Sequence, residues 1–147
     1  QTLKQFEDIN IIVKLHPGTT YYNISELVKE ISPETSIFKS EDIFNILKKS
    51  DVVIALNYST AILDAMILKI PTMLILTEKQ NYENESMLQK NATLVVKDFD
   101  MIKNSIKNIL NDNKMINTLI EKANQFVKEY FVNHGTSSYS LKTILDK

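Results

Sequence analysis

Residues 51–77 read DVVIALNYSTAILDAMILKIPTMLILT, and this stretch decides the fold. The unbroken apolar run at 52–56 predicts a strand that is buried on both faces, as in a parallel sheet. Small polar residues follow at 57–60, and apolar residues then recur at helical spacing until Pro71 ends the helix. A second apolar run at 72–76 predicts another buried strand. The stretch is therefore a βαβ unit, and ligands of open α/β sheets bind at the carboxyl ends of such strands.

The polar turn of this unit has a chemistry that suits an anion. Ser59 and Thr60 carry hydroxyls beside the predicted amino end of a helix, where N–H groups lack intrahelical partners and the helix dipole is positive. Asp64 lies five residues after Ser59, where its carboxylate can accept hydrogen bonds from the two hydroxyls of a ribose. The structural alternative is that Ser59 or Thr60 caps the helix and that Asp64 favours its first turn.

Composition excludes several classes of function. The length of 147 residues predicts a single domain over 1–147, and 17 basic against 18 acidic residues argue against a nucleic-acid partner or an anionic membrane surface. The absence of cysteine excludes a disulfide framework and a thiolate metal site, and the wide spacing of two histidines argues against a zinc site. No apolar run approaches the roughly 18 residues of a membrane span, so we expect a cytoplasmic protein. Only Gly18 and Gly135 are present, which excludes a glycine-rich phosphate loop.

Strands and helices alternate along the rest of the chain. Predicted strands cover 9–15, 35–39, 52–56, 72–76 and 93–96. Predicted helices run from 21 or 23 to 31, over 41–49 with Ser40 as the N-cap, over 62–70 and 87–90, from 98 or 100 to 110, and over 114–130 and 136–147. The expected architecture is a three-layer, Rossmann-like α/β domain with a mostly parallel sheet of about five strands and a helical carboxyl terminus.

This order of elements resembles the carboxyl-terminal domain of GT-B-type transferases. The nearest families are non-hydrolysing UDP-N-acetylglucosamine 2-epimerases, CDP-glycerol glycerophosphotransferases, and capsule or surface-polysaccharide glycosyltransferases. The resemblance runs from about residue 11 to the end. The motifs that carry it are KLHP at 14–17, Asp51, STA at 59–61, Asp64-Ala65 and Pro71. It implies a domain that binds a nucleotide-sugar or nucleotide-polyol donor for surface polysaccharide synthesis.

The resemblance also implies roles for the residues of the turn. Ser59, Thr60 and the N–H group of Ala61 would hold the diphosphate of the donor. Asp64 would bind the ribose hydroxyls, a position at which most relatives have glutamate. The nucleotide-diphosphate donor, UDP- or CDP-linked, would be a substrate, and neither a cofactor nor a metal would be bound.

Three further residues receive roles from the resemblance. His16 would face the cleft beside the transferred group or its phosphate, as the candidate catalytic residue. Phe38 would lie near the base, and Glu78 would approach the donor sugar or polyol. For His16 the structural alternative is a turn residue before Pro17 that is hydrogen-bonded to the backbone.

The chain departs from its relatives in two respects. Their domain opens with a central strand and a small-residue loop, and this chain starts after both. The amino-terminal domain that usually binds the acceptor is also absent. We therefore expect a fragment of a two-domain enzyme that binds its donor but is not active alone, with the amino-terminal domain as its partner. Any peripheral membrane association would come through parts outside this chain, and the sheet would be rearranged or completed by a partner chain.

Two other functions stay open. The first is a UDP-N-acetylglucosamine 2-epimerase, an isomerase that uses the same donor site together with carboxylates from the missing half. The second is a non-catalytic α/β domain that binds a nucleotide or a partner protein.

Overall fold

Strands and helices alternate in the computed structural model, which describes residues 9–16, 18, 21–77, 86–131, 136, 142 and 144. The architecture is a Rossmann-like α/β fold. The strands are β1 (Ile12–Lys14), β2 (Ser36–Phe38), β3 (Val53–Leu56), β4 (Thr72–Ile75) and β5 (Leu94–Val96). The helices are α1 (Tyr21–Ile31), α2 (Ile43–Leu47), α3 (Ala61–Ile67), α4 (Ser86–Gln89), α5 (Ile102–Asn111) and α6 (Asn113–Tyr130), and a 3₁₀ turn (Phe99–Met101) precedes α5. The predicted final helix at 136–147 lies almost wholly outside the described residues.

The described strands form two parallel sheets. One has two strands in the order β1-β2, and the other has three in the order β3-β4-β5. Every pairing is parallel, as the apolar strands predicted. The prediction of one sheet with about five strands differs from this result, because no described strand pairs with the second edge of β1 or of β3. Neither sheet therefore reaches five strands.

Helices cover both faces of the three-stranded sheet. Alternate side chains of a strand point to opposite faces of the sheet. The apolar side chains at the end of β4 and directly after it follow this rule. Leu74 and Leu76 belong to one apolar cluster and Met73 and Ile75 to another. The first cluster also receives buried side chains from α3, α4 and the carboxyl half of α6. The second receives them from α5 and the amino half of α6, so that this part of the fold has three layers.

The ends of the helices differ in detail from the sequence prediction. Helix α3 ends before Pro71 is reached. Lys69 adopts a positive φ of 60° and donates its N–H to Met66 at 3.0 Å, and the N–H of Ile70 donates to Ala65 at 3.0 Å. This pair of bonds is a Schellman motif, which satisfies the last carbonyl groups of the helix. The N-cap of α2 is Asp42 rather than Ser40, because the Asp42 carboxylate accepts from two helical N–H groups.

Candidate functional site

The carboxyl ends of β3 and β4 are tied together by side-chain hydrogen bonds. Leu56 and Ile75 are register partners, so the residues that follow them meet at one edge of the sheet. The Asn57 Oδ1 atom accepts from the Thr77 N–H at 2.9 Å and from the Thr77 hydroxyl at 3.1 Å. The Asn57 Nδ2 atom lies 2.8 Å from the Thr77 hydroxyl oxygen. Asn57 has a positive φ of 55°, so the chain turns sharply out of β3 into residues 58–60.

The amino end of α3 is already saturated with internal hydrogen bonds. The N–H of Ala61 donates to the Ser59 hydroxyl oxygen at 3.3 Å, and the N–H of Ile62 donates to the Ser59 carbonyl at 3.1 Å. The N–H of Leu63 donates to the Thr60 carbonyl at 2.9 Å. From the sequence we expected free N–H groups at this end of the helix. Instead, a ligand at this turn would have to use side-chain groups, or displace the bond between Ala61 and Ser59.

The hydroxyl groups of the turn differ in their surroundings. Ser59 is partly buried and its oxygen acts as the acceptor for Ala61, which is the capping role that the structural alternative assigned to it. Thr60 is exposed, and its side chain makes no capping hydrogen bond. The Ser59 hydroxyl keeps its own proton to donate, and the Thr60 hydroxyl can both donate and accept. Both therefore remain able to bind a phosphate oxygen.

Asp64 is a partly buried carboxylate without a hydrogen-bond or ion-pair partner among the described residues. Its backbone N–H donates to the Thr60 carbonyl at 3.3 Å, so the two side chains lie one helical turn apart on the same face of α3. Burial raises the pKa of the Asp64 carboxyl above its ordinary value. A carboxylate in this condition can accept hydrogen bonds from a ligand without first losing any from the protein.

His16 and Phe38 lie at the carboxyl edge of the two-stranded sheet. The His16 Nδ1 atom accepts from the Gly18 N–H at 3.1 Å, which is the backbone bond of the structural alternative. In the neutral imidazole this bond leaves the proton on Nε2, which stays exposed and able to donate. Phe38 is partly buried, and its carbonyl accepts from the Leu15 N–H at 2.8 Å. At the same end of the sheet, the Lys14 amine donates to the Lys39 carbonyl at 2.7 Å.

The predicted site residues therefore fall into two groups. Ser59, Thr60, Ala61 and Asp64 share one turn and the helix that follows it. His16 and Phe38 belong to the other sheet, and none of their hydrogen bonds reaches the residues of that turn. Glu78 lies outside the described residues.

Asn57 and Thr77 were not predicted as site residues. Asn57 directly follows β3 and Thr77 lies two residues after the end of β4, and asparagine is the residue type after glycine that most readily adopts a positive φ. That position and residue type were visible in the sequence, but the reciprocal bonding of two residues 20 positions apart was not.

Two features are absent from the described part of the chain. No group of three or more histidine, aspartate and glutamate side chains is placed there to hold a metal ion. None of the helices there has the length and apolar character that crossing a membrane requires.

Comparison of the chain with protein-family models, with curated proteins and with solved structures found no match. A functional assignment has to come from the residues of this chain.

Proposed function

We propose that this chain is the donor-binding domain of a cytoplasmic GT-B-type glycosyltransferase or glycerophosphotransferase of surface polysaccharide synthesis. The donor is a nucleotide-sugar or a nucleotide-polyol. The observation that carries the proposal is the Asp64 carboxylate, which is partly buried, has no partner among the described residues and lies one turn after the exposed Thr60 hydroxyl. This arrangement lies at the carboxyl ends of parallel strands, where open α/β folds bind their ligands.

Each side chain of the turn has one task in this proposal. The hydroxyls of Ser59 and Thr60 donate to the diphosphate, and the carboxylate of Asp64 accepts from the ribose hydroxyls. The bonds between Asn57 and Thr77 hold the turn in place before the donor arrives. Preorganised donors of this kind stabilise the charge that develops on the leaving diphosphate.

His16, Phe38 and Glu78 complete the site if the carboxyl ends of the strands of both sheets face the same bound donor. Phe38 then covers the base, Glu78 approaches the transferred sugar or polyol, and His16 presents its Nε2 proton to the transferred group or its phosphate. The acceptor and the remaining catalytic groups come from the amino-terminal domain of the parent enzyme. The isolated chain therefore binds its donor without turning it over.

Calorimetry and thermal-shift titrations with UDP, CDP, GDP, ADP, UDP-N-acetylglucosamine and CDP-glycerol test the proposal. One nucleotide class should bind, and at 100 times its dissociation constant it should stabilise the fold by about 2.7 kcal/mol. Asp64→Ala and Thr60→Ala should each weaken that binding. Asp51→Ala removes an exposed carboxylate before the amino end of β3 and should leave it unchanged.

Two results would refute the proposal. One is a folded chain that binds none of these nucleotides, and the other is binding that Asp64→Ala leaves intact. If a nucleotide does bind, release of free UDP or CDP by the parent enzyme supports transfer, whereas interconversion of two UDP-sugars supports the epimerase.

A further inference from the structure

Strand β5 and helix α6 enclose an open cleft of about 640 Å³. The amino half of α6 packs on one face of the three-stranded sheet and the carboxyl half packs on the other, so the helix changes faces beside β5. Leu94, Met115 and Leu119 form the apolar part of the lining. The volume lies within the roughly 300–1,000 Å³ of ligand-binding clefts. None of the lining residues belongs to the candidate site at 57–64.

One residue of β5 turns its backbone groups toward the open side of the strand. The Val96 carbonyl accepts from the Leu76 N–H at 2.9 Å, so the backbone of Val96 faces β4. Successive residues of a strand direct their backbone groups to opposite edges. The N–H and C=O groups of Val95, which lines the cleft, therefore point away from β4, and they bond to no described residue. An extended ligand in the cleft gains a hydrogen-bond donor and an acceptor from this residue.

The α6 wall of the cleft is positively charged. Lys114, Thr118 and Lys122 follow each other at intervals of four residues, so they share one face of the helix, and all three are exposed. Neither lysine amine forms an ion pair or a hydrogen bond with the described residues. The Asp112 carboxylate also lines the cleft, but it accepts from the Met115 N–H at 3.0 Å as the N-cap of α6. Two ammonium groups are thus left to bind the negative charges of a ligand.

We propose that the cleft binds an extended acidic peptide segment of a partner protein. The segment bonds to the Val95 backbone and places its carboxylates against Lys114 and Lys122. Main-chain bonds to a sheet edge supply affinity in this mode of recognition, and side-chain contacts supply specificity. Here the specificity comes from charge-assisted hydrogen bonds between ammonium and carboxylate groups. The apolar lining receives the aliphatic parts of the segment.

Two other occupants fit the cleft less well. A nucleic acid is bound through many phosphate contacts, whereas the wall offers two lysines and the whole chain has 17 basic against 18 acidic residues. A second copy of the chain would present the sequence LVV of its own β5, which has no carboxylate for these lysines. An acidic segment satisfies both the backbone groups and the charges.

Selection from a displayed library of random nine-residue peptides tests the charge of the occupant. Peptides enriched on the folded chain should carry aspartate or glutamate at two or more positions and no excess of lysine or arginine. Synthetic copies should bind more weakly as the salt concentration rises, because exposed charge pairs are screened. Saturating nucleotide should leave their affinity unchanged, since the cleft and the candidate site share no residue.

The double variant Lys114→Glu/Lys122→Glu tests the α6 wall. It should weaken binding of the selected peptides at least about tenfold, because two attractions become repulsions. Lys103→Glu/Lys107→Glu is the matched control. It makes the same change in net charge at two exposed lysines of α5 that do not line the cleft, so it should leave the affinity nearly unchanged.

Amide hydrogen exchange locates the bound peptide. A selected peptide should slow exchange of the Val95 amide at least about tenfold. The Val96 amide, which faces β4, is the control within the same strand and should change less.

Four results would contradict the proposal. The selection could yield no peptide, or only peptides without acidic residues. Binding could survive Lys114→Glu/Lys122→Glu, or be lost equally in the α5 variant. The Val95 amide could already be protected in the dilute chain without peptide, which would mean that another part of the chain covers it. Protection could also appear only as the chain dimerises with increasing concentration, which would assign the cleft to a second copy.

Discussion

The Asn57 side chain accepts hydrogen bonds from both the backbone N–H and the hydroxyl of Thr77, at 2.9 and 3.1 Å. These bonds join the carboxyl ends of two neighbouring strands at the point where the chain enters the candidate site. The positive φ of Asn57 sets the direction of the turn, and its amide fixes the position of that turn relative to β4.

We expect Asn57→Ala to lower the free energy of unfolding by about 1–3 kcal/mol, because it removes these bonds and places alanine at a positive φ. Asn57→Gly removes the same bonds without the conformational strain and should be less destabilising. Urea denaturation of both variants measures the two contributions. Equal stability of Asn57→Ala and wild type would contradict the role given to this side chain.

Lys69→Gly should stabilise the chain by up to about 1 kcal/mol. Lys69 holds a φ of 60° in the Schellman motif that ends α3, and an L-residue there is strained by about 1–2 kcal/mol, which the greater flexibility of unfolded glycine partly offsets. Lys48→Gly is the matched control. Lys48 has a right-handed helical conformation, with a φ of −59°, so glycine should be destabilising there. Thermal melts of the two variants should therefore shift in opposite directions.

Asp64→Asn should make the fold slightly more stable at neutral pH while weakening nucleotide binding. Burial raises the pKa of the folded carboxyl above its ordinary value of 3.8, so the charged form is disfavoured in the folded state. This penalty is absent below the unfolded pKa, grows as pH rises through the folded pKa, and is then constant. The stability advantage of the variant should shrink as the pH of the urea titration falls toward 3.8. A stability advantage that grows on acidification would contradict this prediction.

Thr72 and Thr93 form a buried pair between β4 and β5, and the pair should show strong energetic coupling. The Thr72 hydroxyl donates to the Thr93 hydroxyl at 2.9 Å, which donates to the Thr72 carbonyl at 3.0 Å. Thr93→Val leaves the buried Thr72 hydroxyl without its acceptor and removes the side-chain bond to the Thr72 carbonyl, and should cost about 1–3 kcal/mol. The double variant Thr72→Val/Thr93→Val should recover part of that loss, because the Thr72 hydroxyl is then removed as well. Additive losses in the double-mutant cycle would show that the two hydroxyls act independently.

The order of strands and helices was predictable because each element has a local signal. Apolar runs identified β3 and β4, helical periodicity identified α6, and these predictions are confirmed. The parallel direction of the strands was predicted from burial on both faces. Strand β4 is buried throughout, but the prediction was wrong for β3, where Ile54 and Leu56 are exposed although the strand pairs in parallel. Element ends were less predictable. Pro71 was expected to end α3, but hydrogen bonds of Lys69 and Ile70 end it earlier.

Part of the candidate site was also visible in the sequence. The hydroxyl at 60 and the carboxylate at 64 are four positions apart, so their proximity follows from helical geometry alone, and Ser59 is the direct neighbour of Thr60. The saturation of the α3 amino end did not follow, because it depends on how the backbone of residues 59–63 closes on itself.

The sequence by itself determined the order and the approximate positions of the strands and helices, because periodicity and capping act over a few neighbouring residues. Only the tertiary structure decided that the described strands divide into two sheets, that Asn57 bonds to Thr77, and that the Asp64 carboxyl is partly buried with no partner in the described part of the chain. These features depend on contacts between distant segments. A strand carries the same apolar pattern whether its edge is paired or open, so the pattern alone cannot distinguish the two.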